Sequence, residues 1–425
     1  MKIPDLFPKK FLESRIGKNF IALSFWQVTN YLAPLIIMPY LIRVIGTEKF
    51  GVVSLIQAVT NYFIIIVDYG FSISAVKEIS VGRNDPLRLQ TLFNRTLFTK
   101  LFLCIISFLV LLAAVYTVPD FANYRQGYLA GFLAVIGQTM FPIWFYQGVE
   151  RMKYTTYLNV GSKLLYMIAI FVFIRTPEQY PIVLLIQGSA VVVAGLAGIF
   201  LISRQYNIRL ALPAWRVIFS EIRNGWPIFI SNISVTFYNS TLYLIVGLLV
   251  NERLLGVYSI AERTSQVLRQ VVNVFSQAVY SQLCVFATQG HDLVRSLWKK
   301  MLPPFAVLLF MICLAVSLMA PFVLMVIAGA TDELAVTLLR IMIWVPFIVL
   351  FNVPFFQTLL AYGFNKEVMR ALLSCSFVSV VMSYVLVSRF SVYGAAASLI
   401  ITECLIVLSL MWLLETRKGH SIITR

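Results

Sequence analysis

The sequence predicts an all-α polytopic membrane protein of about twelve transmembrane helices, arranged as two six-helix bundles around a central polar cavity, with both termini cytoplasmic. Three observations predict it. Of 425 residues, 60% are hydrophobic and only 12% are charged, against roughly 25% charge in an average soluble domain; mean hydropathy is +0.86. The apolar residues are gathered into segments of spanning length. The basic residues alternate between the segments that separate them, as the positive-inside rule requires of a multi-pass chain.

In chain order the apolar segments lie near 19–42, 52–74, 97–118, 128–147, 164–174 with its flanks, 182–202, 226–250, 254–280, 302–328, 335–361, 369–388 and 392–414. With the N-terminus inside, the cytoplasmic segments hold 25 Lys and Arg and the alternate loops 6, leaving Arg263, Arg269 and Arg340 inside spans. The net charge of +16 is therefore mostly topology, and nucleic acid is not an expected partner. The expected division is a cytoplasmic segment 1–18, a first bundle 19–203, a cytoplasmic connection 204–225, a second bundle 226–414 and a tail 415–425. No stretch outside the membrane is large enough for a domain with its own core, so the chemistry belongs in the bilayer or at its faces. No phosphate-binding loop of the G-x-x-x-x-G-K-[ST] form is present.

The polar N-terminus, Met1–Lys18, followed by a span-length apolar segment, reads as a retained signal anchor. Cys104, Cys284, Cys313, Cys375 and Cys404 sit in or beside apolar segments without paired spacing and read as small core residues. Kinks are expected at Pro34, Pro39, Pro142, Pro227, Pro346 and Pro354. Trp26, Trp144, Trp226, Trp298 and Trp412 lie near span ends, where aromatic belts form.

The eighth segment is the most unusual. Glu262, Arg263, Gln266, Arg269, Gln270, Asn273 and Gln277 fall within an arc of roughly 120° on a helix, opposite Val267, Leu268, Val271, Val272 and Phe275. A charge at the bilayer centre costs at least about 2.5 kcal/mol, so this stripe is expected to face water, a polar ligand or other helices. In the second segment Ser54, Gln57, Asn61, Asp68 and Ser72 share an arc of about 60°. The two segments also open alike, Gly51-Val-Val-Ser54 and Gly256-Val-Tyr-Ser259, as corresponding helices of a repeat with six spans in each half would. A cavity between two bundles satisfies both stripes; interhelical hydrogen bonding suffices for any one amide.

Asp68 has two readings: an interfacial carboxylate paired with Lys77 or Arg83, or a coupling-ion site for H+ or Na+. Arg340 and Glu403 read as structural partners, and Lys163 either reaches the cavity or snorkels to the interface. Glu262 is expected to neutralise its neighbour Arg263, leaving Arg269 without a sequence-local partner.

Asn19 to Lys100 contains P-Y-L-I-R-V-I-G-T-E-K-F-G at Pro39–Gly51, D-Y-G at Asp68–Gly70 and S-A-V-K-E-I-S-V-G-R-N-D at Ser74–Asp85; G-V-Y-S-I-A-E-R follows at Gly256–Arg263. With these motifs and its twelve-segment layout the chain resembles the lipid-linked O-antigen repeat-unit flippases (Wzx), in the polysaccharide-transport branch of the multidrug, oligosaccharidyl-lipid and polysaccharide exporter superfamily. The resemblance implies two six-helix bundles around a cationic lumen that opens alternately to either face of the bacterial inner membrane. The substrate it implies is undecaprenyl pyrophosphate carrying an oligosaccharide. It admits a polysaccharide polymerase and a chain-length regulator as protein partners beside membrane lipids, and no organic cofactor or metal.

That substrate suits the stripe. Guanidinium groups offer forked donors to phosphate oxygens and are weakly hydrated, which points to Arg263 and Arg269 for the anionic part. Sugar hydroxyls pair with amides, which points to Gln266, Gln270, Asn273 and Gln277 on this helix and to Gln57 and Asn61 on the second. The competing expectations are a multidrug or lipid II exporter of the same superfamily, and a polytopic enzyme of polysaccharide assembly. Short outside loops disfavour the enzyme, as do histidines, His291 and His420, that lie only on cytoplasmic segments.

Overall fold

The computed structural model describes residues 15–329 and 332–418. Lys2, Lys9, Lys10, His420 and Arg425 lie outside the described residues, as do the side chains of Trp26 and Pro227. Among the described residues every regular element is a helix, in keeping with apolar segments whose backbone groups must be satisfied internally. Eight helices among the described residues are long and apolar enough to cross a membrane, or nine if the bent pair Glu252–Tyr280 and Gln282–Gln289 is one span. Two of them, Ile36–Gly82 and Asn365–Thr416, run 47 and 52 residues, far beyond the 20 or so that one crossing takes. The protein is thus a multi-pass, all-α membrane protein.

The helix breaks follow local chemistry rather than proline alone. Arg15–Asp68 runs on through Pro34 and Pro39 and breaks at Gly46, with φ 78°. Asn365–Lys418 breaks at Ser391, with φ 53°. Pro142 separates Arg125–Met140 from Ile143–Gly148, and Pro346 opens Val345–Ala361, whereas Pro354 stays inside that helix. After Asp68 the chain passes through two left-handed residues, Tyr69 (φ 46°) and Gly70 (φ 86°), before Phe71–Gly82 begins. A side chain at Gly70 would be strained by that φ and would run into Ile228, which explains the glycine of the D-Y-G motif.

The chain divides into two compact units. The first takes the chain up to Ile45 and Ile56–Ile233. Its aromatic core holds Phe93 against Trp144 (5.5 Å) and Phe145 (5.4 Å). Trp144 is only 1% exposed: where a belt residue was expected, its ring is enclosed by the aromatic core beside Phe93. At the expected cytoplasmic end Arg95 binds both Glu78 (2.5 Å) and Glu221 (3.1 Å), and Arg83 binds Glu150 at 2.7 Å.

The second unit is Gly46–Leu55 with Ser234–Arg425. Its largest core packs Val272, Val279 and Leu283 with Leu297, Trp298, Leu309, Leu350 and Val353. Trp298, also expected in a belt, is buried there and donates to Thr358 Oγ1 at 3.0 Å. Residues 46–55 join this unit because the two similar loops meet. A methyl group on Gly51 would strike the Glu252 carbonyl and lie 2.7 Å from the Gly256 nitrogen, and one on Gly256 would strike the Thr47 carbonyl. The glycines of the paired G-V-x-S motifs are therefore the points of closest backbone approach, the usual role of small residues between membrane helices.

Candidate functional site

The stripe of the eighth segment lies on Glu252–Gln289, whose start is capped by Asn251 accepting from the Leu254 N–H at 2.9 Å. The helix is fixed from behind by small hydroxyl residues. Ser265 donates to the Met342 carbonyl at 2.8 Å, and Gln357 donates to Ser276 at 2.5 Å. With Val272 and Leu283 these serines form the buried face, one side of which borders the polar stripe.

Glu262 is the centre of the charged half. Its carboxylate accepts from Tyr243 Oη at 2.7 Å and pairs with Arg269, and the two charged side chains are 7% and 14% exposed. Arg263 points elsewhere: it donates to Ser54 Oγ at 3.1 Å, with its guanidinium 5.1 Å from the Phe50 ring centroid, within reach of a cation–π contact. The expected pairing of Glu262 with Arg263 is thus corrected to Glu262 with Arg269. Neighbouring residues diverge by 100°, whereas residues seven apart return to within about 20° of the same side, and an Arg side chain leans back toward the helix N-terminus. The spacing of seven was readable in the sequence.

The other half of the stripe is amide. Gln270 accepts from Asn273 at 3.0 Å, and Gln266, Asn273 and Gln277 are exposed. The stripe on this helix therefore presents two guanidinium groups and one carboxylate, interleaved with and followed by amides. Chemically, such a surface can hold an anion beside hydroxyl-rich groups.

In the first unit Gln57 donates to Gln187 Oε1 at 2.7 Å. The two amides line a cavity of about 160 Å3 with Thr60, Asn61 and Gly131; Asn61 is exposed. Gln187 was not among the expected residues, although an amide inside the 182–202 segment was a signal for it. Asp68 pairs with Lys100 at 3.4 Å, not with Lys77 or Arg83. Lys100 is 1% exposed and also lies 3.4 Å from the Gln138 carbonyl. Its position near the start of the third apolar segment, 97–118, suggests a cytoplasmic charge, but on Pro86–Thr117 it lies about four turns from the helix start. Lys163 is half-buried on Met152–Phe173. Arg340 donates to the Ser317 carbonyl at 3.3 Å, and Glu403 accepts from Asn352 at 3.0 Å.

The Asp68–Lys100 pair is asymmetric, with Asp68 27% exposed and Lys100 enclosed. Asp68→Asn strands the enclosed ammonium, with an expected loss of about 3 kcal/mol, while Lys100→Met leaves a carboxylate that is only partly enclosed and costs about 1 kcal/mol. Melting temperatures of the purified variants check this: Asp68→Asn is expected to fall further, and the double variant to recover most of the difference.

A family model described as "Polysaccharide biosynthesis protein" matches residues 16–280. Two relatives carry the name "Putative O-antigen transporter". That of Escherichia coli (strain K12) is 27% identical over 404 residues, 95% of this chain and 97% of the relative. That of Shigella dysenteriae is 22% identical over 399 residues, 93% and 98% of the two chains. Among solved structures, lipid II flippase MurJ in an inward closed conformation matches with a TM-score of 0.72 and 10% identity, over 93% of this chain and 87% of that one. An inward-facing MATE family multidrug resistance transporter of the MOP superfamily matches with a TM-score of 0.65 and 14% identity, over 93% and 100%; these two likenesses concern the fold. The family match takes in both polar segments and the meeting glycines Gly51 and Gly256, and the chain belongs to the polysaccharide biosynthesis protein family.

Proposed function

We propose that this chain is a flippase of the bacterial inner membrane that moves undecaprenyl-pyrophosphate-linked repeat units of O-antigen, or of a similar surface polysaccharide, from the cytoplasmic to the periplasmic leaflet. The observation that carries the reading is the helix whose polar stripe sets Arg263 and Arg269 against a single carboxylate, Glu262, among the amides Gln266, Gln270 and Asn273. A pyrophosphate leaving water needs forked cationic donors, and its sugars need amides. Family membership and the O-antigen transporter names of the two relatives support the same substrate class.

In this reading twelve passes form two six-helix bundles, termini inside, around a cavity open alternately to each face. Arg263 and Arg269 hold the pyrophosphate, the amides with Gln57 and Asn61 hold sugar, and the lipid tail stays in the bilayer. Transport is coupled to H+ or Na+, with Asp68 as the coupling carboxylate and Lys100 as its ion-pair partner. The chain transports and does not catalyse covalent chemistry; a polysaccharide polymerase and a chain-length regulator take up its product.

The test is removal of the protein from its host. Lipid-linked repeat units are expected to accumulate on the cytoplasmic side while surface polysaccharide disappears; unchanged surface polysaccharide in a host with no second flippase contradicts the reading. In complementation, Arg263→Ala is expected to be inactive at normal protein levels, and Arg263→Lys to retain part of the activity, since Lys keeps the charge but not the fork.

A further inference from the structure

The second unit holds a cavity of about 790 Å3 that the transport reading does not use. It lies where His291–Leu318 begins, beside the later turns of Val345–Ala361, with Leu414 of the last helix closing one side. Its size is that of pockets that hold small organic ligands, about 300–1,000 Å3. Trp298, Leu302, Pro303, Pro354 and Phe355 make an apolar floor, and Arg295 and Lys299 stand over it as an exposed rim.

The floor is rigid. Trp298 is fixed by its hydrogen bond to Thr358, and at the mouth Tyr362 Oη lies 2.6 Å from His291 Nδ1. The rim is electrostatically incomplete. Arg295 and Lys299 are four residues apart, so like charges stand one above the other, a destabilising arrangement on a helix. Among the described residues neither forms an ion pair. Asp292 is the one carboxylate in the lining; it lies in the first turn of the helix, where it complements the helix dipole. The cavity thus combines an apolar slot, opening on a helix that offers most of its surface outward, with two cations that lack a counter-charge.

We propose that this cavity binds an anionic glycerophospholipid of the cytoplasmic leaflet, its phosphate between Arg295 and Lys299 and the upper part of an acyl chain against Trp298 and Phe355. A free anion would leave the floor wet, and a neutral lipid would leave the two cations facing each other; an anionic lipid answers both. Basic residues at a cytoplasmic span end are positioned for such headgroups. The site lies outside the polar stripe, and its lipid is a resident rather than the cargo.

The test uses the full-length protein in phosphatidylcholine vesicles containing increasing fractions of phosphatidylglycerol with brominated chains, which quench nearby tryptophan. The Trp298 signal is taken as the difference between wild type and Trp298→Phe. A triple variant, Trp215→Phe, Trp226→Phe and Trp412→Phe, which removes exposed tryptophans and keeps the Thr358 hydrogen bond, gives a second reading should Trp298→Phe not fold. Brominated phosphatidylglycerol is expected to quench Trp298 at a roughly tenfold lower fraction than brominated phosphatidylcholine. Arg295→Gln with Lys299→Gln is expected to abolish that preference, and Lys300→Gln, on the same helix but outside the cavity, to keep it. Equal quenching by the two lipids means snorkelling cations over an ordinary lipid contact and overturns the proposal. So does a preference that survives the double variant or is lost equally in Lys300→Gln. Displacement of the brominated lipid by a polyprenyl pyrophosphate at a lower fraction than by phosphatidylglycerol assigns the cavity to the cargo and also overturns it.

Discussion

Glu262→Ala is expected to destabilise the protein by about 3–5 kcal/mol, the usual effect of removing one partner of a buried ion pair. Glu262 is the acceptor on which two side chains converge, Tyr243 from one helix and Arg269 from two turns further along its own. Its loss leaves a guanidinium that is 14% exposed without the carboxylate that holds it, and a phenol without its acceptor. Arg269→Ala has a comparable effect from the other side, since a carboxylate 7% exposed loses its cation. The double variant Glu262→Ala, Arg269→Ala is expected to be more stable than either single one, because no buried charge is then unmatched. Thermal melting in detergent, with monodispersity by size exclusion, measures all three. If Glu262→Ala melts within a degree or two of wild type, the pair is not a structural element of this helix. The pair also has a functional corollary. Under the proposed function a pyrophosphate at the stripe would compete with Glu262 for Arg269, so the double variant is expected to fold and yet fail in transport.

Gly256→Ala is the second large effect. The added methyl group would enter the space of the Thr47 carbonyl, a backbone atom that no rotamer change can move. Relief requires the helix start and the Gly46–Leu55 segment to separate, at a cost of about 1–3 kcal/mol or more. Separation would also pull Ser54 and Phe50 away from Arg263. A small packing change is thus expected to reach the candidate site, with loss of complementation exceeding the loss of folded protein. Gly51→Ala meets the Glu252 carbonyl and is expected to behave alike, whereas Gly161→Ala, where an added methyl has nothing within 4 Å, is expected to be silent. Immunoblotted protein level beside surface polysaccharide in one complementation assay separates the two effects.

These two cases mark what was legible in the sequence. Hydropathy exposed the helices, because a segment that meets lipid must be apolar along its length. Periodicity exposed the stripe, because seven polar residues on one arc are visible without coordinates. The likeness of Gly51-Val-Val-Ser54 to Gly256-Val-Tyr-Ser259 identified equivalent positions but not that they touch, since touching is a property of two helices and not of either motif. Pairing was the least legible. Lys100 is 32 residues from Asp68, and Gln187 is 130 from Gln57; each partner is chosen by which helices pack together. Glu262 and Arg269, only seven apart, were within reach of the same reasoning that found the stripe. Trp144 and Trp298 were expected in belts because their segments end near them, but burial depends on which side chains pack around them, Phe93 and Phe145 for the one and Thr358 for the other.

The central claim is that the Arg263–Asn273 face meets the lipid-linked glycan, and site-directed photocrosslinking in the host measures this most directly. With benzoylphenylalanine in place of Gln266 or Asn273, both exposed on the stripe, ultraviolet light is expected to give an adduct that carries glycan. The adduct should vanish when the first sugar transferase of the host is deleted, and should weaken strongly with Arg263→Ala. The same reporter at Leu308, an exposed apolar position on His291–Leu318, is expected to give no glycan adduct. A glycan adduct at Leu308 as strong as those at Gln266 and Asn273, or none at either stripe position while transport continues, contradicts the account.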